Sequence, residues 1–218
     1  MKKLLLVLVF VALGFVSNAQ LFVAGSISAK YSSGSKGYES NTIVDKDLSE
    51  TGFVITPAVG YMIPGKSYGF GLSLGYAYTS ETDTDFYNEK DGILMQQNNR
   101  KFTHGFDIAP FFRYAYAKFE KVTLYADLRF PIGFTNTEKH LGDKVMLSDN
   151  FVTGVRLIPG LTYKFNNHIL FTTEIGLLSF GYLHNKGTDA EGNVKIDDDF
   201  TIGANNRTVA SFGFVYLF

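Results

Sequence analysis

Residues 68–79 read YGFGLSLGYAYT. Tyr68, Phe70, Leu72, Leu74, Tyr76 and Tyr78 occupy the even positions, and Gly69, Gly71, Ser73, Gly75, Ala77 and Thr79 the odd ones. Large apolar and small residues alternate without exception. A period of two puts successive side chains on opposite faces, so this stretch is a β-strand with two unlike faces.

The same alternation recurs on either side. Phe102, His104, Phe106, Ile108, Pro110, Phe112, Tyr114 and Tyr116 share one face, against Thr103, Gly105, Asp107, Ala109, Phe111, Arg113 and Ala115. Further strands are expected over 21–31, 53–63, 122–134, 151–165, 169–183 and 208–218, with the alternation over 169–183 less clean. Short turns follow the second, fourth and sixth strands, at 64–67, 118–121 and 166–168. Long polar segments follow the others, at 32–50, 80–100, 135–149 and 184–204.

A repeat supports the count of eight strands. Tyr61, Tyr114 and Tyr163 each lie four residues after a proline (Pro57, Pro110, Pro159), and Tyr216 stands in register with them on the last strand. The chain therefore reads as four hairpin repeats, each ending in an aromatic at one height. Pro57, Pro110, Pro131 and Pro159 fall inside strands, where a missing N–H interrupts the ladder, so local bulges are expected there.

Composition narrows the class. Of 218 residues, 45% are hydrophobic and 19% charged, which excludes a disordered chain. Lys plus Arg number 20 and Asp plus Glu 21, which argues against nucleic-acid binding through net positive charge. There is no cysteine, hence no disulfide, thiolate metal site or cysteine nucleophile.

The start of the chain has the form of an export signal. Met1-Lys2-Lys3 is basic, 4–16 is apolar, and Ser17, Asn18 and Ala19 supply small residues for cleavage. Thirteen apolar residues fall short of the ~20 that a spanning helix needs. The expected division is a signal peptide over 1–19 and a single domain over 20–218.

The chemistry of the two faces decides between two barrels. A soluble barrel would carry a densely charged outer face. Here the second face is Gly, Ala, Ser and Thr with isolated charges, and suits a narrow interior. The large apolar face, ending in Tyr and Phe, suits lipid bounded by aromatic girdles. The expected fold is all-β: an eight-stranded antiparallel up-and-down transmembrane β-barrel with short periplasmic turns and long extracellular loops.

On these residues the chain resembles the small outer-membrane β-barrel family, OmpA/OmpX-like in size and of the Bacteroidota type, whose signal peptides often end as Ala19-Gln20 does here. The terminal alternation Phe212, Phe214, Tyr216, Phe218 is similar to the signal that the outer-membrane assembly machinery reads. The resemblance implies the outer membrane as location, lipid and lipopolysaccharide as surroundings, a monomer, and no cofactor. The family includes adhesins, structural anchors and lipid-modifying enzymes, so the fold does not fix the function.

Charges on the inward face are the candidate interior network: Asp107, Arg113, Asp127, Arg129, Arg156, Glu174 and Arg207. A turn near residue 120 sets Arg113 across from Asp127, and Arg156 and Glu174 are expected near one another. Self-satisfying ion pairs that fill the lumen are favoured over a gate whose pairs exchange partners.

Lipid A deacylases of this family use Ser, His and an acid near the outer rim. His104 lies near that rim but on the lipid-facing set and has no serine beside it, so no catalytic residue is assigned. The acidic stretches 80–99 and 189–199 lack the glycine spacing of a calcium loop, so no metal site is assigned either. The expected role is structural or surface-interacting, through acidic loops and without a wide pore. The alternatives are a lipid A-modifying enzyme or a narrow gated channel.

If the terminal aromatics direct assembly, deleting Phe218 or changing it to Ser depletes the protein from the outer membrane. Immunoblotting of membrane fractions checks this, and unchanged abundance would refute the assembly role.

Overall fold

The computed structural model describes residues 20–36, 43–88, 94–141, 144–175, 178–188, 194–204 and 210–218. The expected signal peptide over 1–19 and Arg207 lie outside them. The described strands are β1 (Gln20–Lys36), β2 (Ile43–Met62), β3 (Tyr68–Asn88), β4 (Leu94–Lys118), β5 (Val122–Arg129), β6 (Ile132–Leu141), β7 (Lys144–Lys164), β8 (Ile169–Ile175), β9 (Leu178–Thr188), β10 (Val194–Ala204) and β11 (Ala210–Leu217).

All pairings are antiparallel, and they form eight walls. β5 and β6 lie end to end between β4 and β7. β8 and β9 both pair with β7, and β11 and β10 pair with them in turn. The barrel closes where Phe22–Ile27 of β1 meets Phe212–Leu217 of β11. The fold is thus a closed eight-stranded antiparallel barrel.

The apolar face points outward. Phe70, Phe106, Tyr114, Tyr116, Phe214 and Tyr216 are exposed, whereas Ser73, Ala109, Ala115 and Val215 face inward and are buried. Close to the short turns, rings meet around the circumference: Tyr61–Phe70 at 5.6 Å, Tyr68–Phe112 at 6.0 Å and Tyr216–Phe218 at 4.9 Å. Toward the other end, Phe53, Tyr76, Tyr78 and His104 form a second aromatic group. Two aromatic levels with an apolar band between them are how a barrel meets the two membrane–water interfaces.

The interior is too narrow for two large side chains at one point. Each bulky inward group lies opposite a glycine: Phe22 faces Gly60, Phe111 faces Gly71, and Tyr125 faces Gly160. A Cβ at any of these glycines would overlap the facing ring. Asp107 sits in the same way between Gly75 and Gly133. Phe22, Phe111 and Val215 pack together on the inward side, where Ala24, Ala58, Met62, Leu170 and Leu217 join them.

Two expectations change. First, the long polar segments are largely strand. β3 continues to Asn88 and β4 begins at Leu94, and residues 142–143 alone separate β6 from β7. Water wets both faces of these extensions, so apolar alternation fades while backbone pairing persists.

Second, the prolines do not each produce a bulge. Pairing of β2 with β3 skips Thr56 and Pro57 but resumes in the same register. Pro110 and the Phe130–Pro131 break adjoin each other, and register is again kept on both sides. Only opposite Pro159 does it change. There β7 advances three residues, from Leu157 to Gly160, while its partner advances four, from Glu174 to Leu178. The added residue inverts the alternation: Thr172 and Glu174 point inward on β8, whereas Leu178 and Phe180 are exposed on β9. This is why 169–183 alternates poorly in sequence.

Gly60→Val drives a side chain into the Phe22 ring and should lower stability by roughly 1–3 kcal/mol. Gly25→Val points into open space on the outer face and should be close to neutral. The temperature at which the folded band shifts on a denaturing gel compares the two.

Candidate functional site: an ion-pair floor in the barrel

The inward charges gather toward the short-turn end. Arg113 and Asp127 are directly opposed on β4 and β5, in the register set by the turn at 119–121 and a one-residue shift between Ala115 and Ala117. Arg113 grips the carboxylate with two donors, Nε to Oδ1 at 2.7 Å and Nη2 to Oδ2 at 2.8 Å. Arg129, two residues along on the same face, donates from Nη2 to Asp127 Oδ2 at 3.0 Å and to Glu174 Oε1 at 2.6 Å. Arg113 Nη2 lies 3.8 Å from Glu174 Oε1. Two guanidinium groups and two carboxylates thus form one neutral cluster.

Tyr125 completes it. Its hydroxyl donates to Glu174 Oε1 at 3.1 Å and lies 2.8 Å from Thr172 Oγ1. Its ring carries the Arg113 guanidinium 3.9 Å from the ring centre, a cation–π contact. Phe22 and Phe111 flank the same guanidinium at 5.1 and 5.6 Å. Asp127 is fully buried, and Arg113 and Glu174 nearly so. The assembly joins side chains from β4, β5 and β8 on one side of the lumen. Bidentate, shared charge-assisted bonds offset the desolvation of four ions in a low-dielectric interior.

The other expected members are placed differently. Arg156 is directly opposite Arg129 in the ladder, yet Glu174 bonds Arg129 rather than Arg156. Among the described residues Arg156 has no ion pair or side-chain hydrogen bond; it lines a cavity of about 410 Å³ together with Arg129 and Glu174. Asp107 rests in its glycine slot away from the cluster. Sequence spacing does not single out Tyr125. Its place two residues before Asp127, in the run Tyr125, Asp127, Arg129, is the one available signal.

A second charged tier lies farther from the short turns. Lys30 pairs with Glu50, and Lys101 Nζ lies 3.2 Å from Glu81. Glu50 and Glu81 are directly opposed across β2 and β3. On the outer face of the extensions, Asp198 Oδ1 takes both the Tyr182 hydroxyl at 2.8 Å and His184 Nδ1 at 2.7 Å. The bonds from His184 and then Tyr182 hold this exposed carboxyl below the usual carboxylate range. His104 Nδ1 is 3.0 Å from the Tyr76 hydroxyl, within the outward aromatic group.

No protein-family model matches the chain, and no curated protein matches its sequence. Among solved structures, the chain is similar to a major outer membrane protein from Thermus thermophilus, with 14% identity and a TM-score of 0.54, over 92% of this chain and 99% of that one. Neisserial surface protein A matches at 17% identity and a TM-score of 0.34, over 91% and 97% of the two chains. The outer membrane protease OmpT from Escherichia coli matches at 8% and 0.40, over 92% and 96%. The likeness to the Thermus protein is one of fold, that of an outer-membrane β-barrel.

Asp127→Leu strands Arg113 in the interior and should cost about 3–5 kcal/mol, as removal of one partner from a buried ion pair does. Arg113→Met combined with Asp127→Leu should recover part of that loss. Denaturant unfolding of the four members of the double-mutant cycle in detergent measures both effects.

Proposed function

We propose that the protein works in the outer membrane as a closed, non-porin barrel that presents rigid polar hairpins to the outside. The observation that carries this reading is the buried neutral floor of Arg113, Asp127, Arg129, Glu174 and Tyr125, which places five bonded side chains in a narrow lumen and supports a barrel without a wide pore. The strand extensions supply the presenting surface. Binding to a surface already held in place loses less conformational freedom than binding to loose loops.

Export by cleavage after Ala19 and monomeric assembly through the terminal aromatics belong to the same reading. The extensions are acidic, with net charge −2 over 32–50, −4 over 80–99 and −3 over 184–202. A basic partner, or lipopolysaccharide bridged by divalent cations, suits that charge. A lipid-modifying reaction is less well supported, because His104 has Tyr76 and Tyr78 as its neighbours, not a nucleophile.

Two measurements on the purified protein and on intact cells test the reading. Planar bilayers should show no large, stable conductance. Shortening the hairpins over 32–50 and 80–99 should abolish surface binding while the heat-shifted band is kept. A steady conductance in the wild type, or a change in lipid A composition on deleting the gene, would overturn it.

A further inference from the structure

We propose that the chamber above the ion-pair floor binds a small organic anion, with its carboxylate on Arg156 and a short apolar body against the neighbouring wall. The chamber has a volume of about 410 Å³, within the range of small-molecule sites. Its floor is the Arg129–Glu174 edge of the cluster.

Charge balance points to an anion. Arg113 and Arg129 are neutralised by Asp127 and Glu174. Arg156 stands opposite Arg129, exposed into the chamber, and has no ion pair or hydrogen bond among the described residues. The inward carboxylates Asp107, Glu50 and Glu81 are not part of the chamber wall. Among the described residues the chamber wall therefore carries one positive charge in excess, which favours an entering anion. A cation would meet two arginines.

The walls restrict the rest of the ligand. Ser26, Ser28, Thr56 and Ser211 offer hydroxyl groups on one side. Val152 and Ile158 make an apolar strip on the inward face of β7, the strand that carries Arg156, and Val54 adds apolar surface from β2 on the hydroxyl side. Val54 is 37% exposed although it faces the interior, so its apolar surface is open to an occupant. A bare inorganic anion leaves that strip wet, whereas an aliphatic acid covers it. Arg156 offers a planar pair of donors matched to a carboxylate.

The test uses the full mature chain in lipid nanodiscs, titrated calorimetrically with hexanoate, hexanol, hexylammonium and inorganic phosphate. Hexanoate should bind saturably at one site, at least tenfold more tightly than the other three. Arg156→Gln should weaken hexanoate at least tenfold and leave hexanol unchanged, while Lys66→Gln, in a short turn, has no effect. If Arg156→Gln does not fold, Ser179→Glu replaces it and should abolish hexanoate binding by setting a carboxylate directly opposite the arginine in the ladder. Equal hexanoate affinity in wild type and variant would show partition into lipid and overturn the proposal. Phosphate binding tighter than hexanoate, or hexylammonium as tight, would overturn it too.

Discussion

In hydrocarbon, a backbone N–H or C=O has no water to turn to, and each one left unpaired costs several kcal/mol. The pairing of Phe22–Ile27 with Phe212–Leu217 is the contact that meets this constraint, because it closes the sheet on itself over the half nearest the short turns. Eight strands then enclose a lumen barely wide enough for side chains. From that width follow the small inward residues and the glycines facing Phe22, Phe111 and Tyr125. The prolines obey the same rule. A residue with no N–H is harmless where the neighbouring ladder is already interrupted, as at the Phe130–Pro131 break beside Pro110 and at the register change opposite Pro159.

A narrow interior also dictates how charge is carried. A lone buried ion would be ruinous, but two arginines and two carboxylates sharing bonds present no net charge to the barrel wall. Asp127 accepts from both Arg113 and Arg129, so neither oxygen is left bare. Glu174 reaches the cluster from β8, past the intervening β7. That reach accounts for the fate of Arg156. With Glu174 committed to Arg129 and Tyr125, the arginine facing Arg129 turns to the chamber above.

The transmembrane half was legible because lipid on one side and a crowded lumen on the other write two different residue classes into alternate positions. The opposition of Arg113 and Asp127 was anticipated from a turn centred near residue 120, although the ladder reaches it through a one-residue shift between Ala115 and Ala117. Three features were not legible. The extensions beyond the lipid are wetted on both faces, so nothing in their composition distinguishes a paired strand from a loop. The inversion between Glu174 and Leu178 depends on one extra residue, which a pattern of period two registers only as blurring. Tyr125 belongs to the floor through partners on a distant strand, Thr172 and Glu174, and sequence spacing carries no information about such pairs.

Strand length locates the part of the molecule available for function. A tilted strand crosses the bilayer in about 9–11 residues. β3 and β7 have 21 residues and β4 has 25. Roughly half of each therefore stands beyond the lipid, and because the short turns close one end, the excess projects from the other. In that region the inward face carries Lys30, Glu50, Glu81 and Lys101 in place of glycine and alanine. These charged pairs keep the projecting strands hydrated above the ion-pair cluster. The part of the chain that meets the outside is therefore paired strand, ordered by the same ladders that cross the lipid.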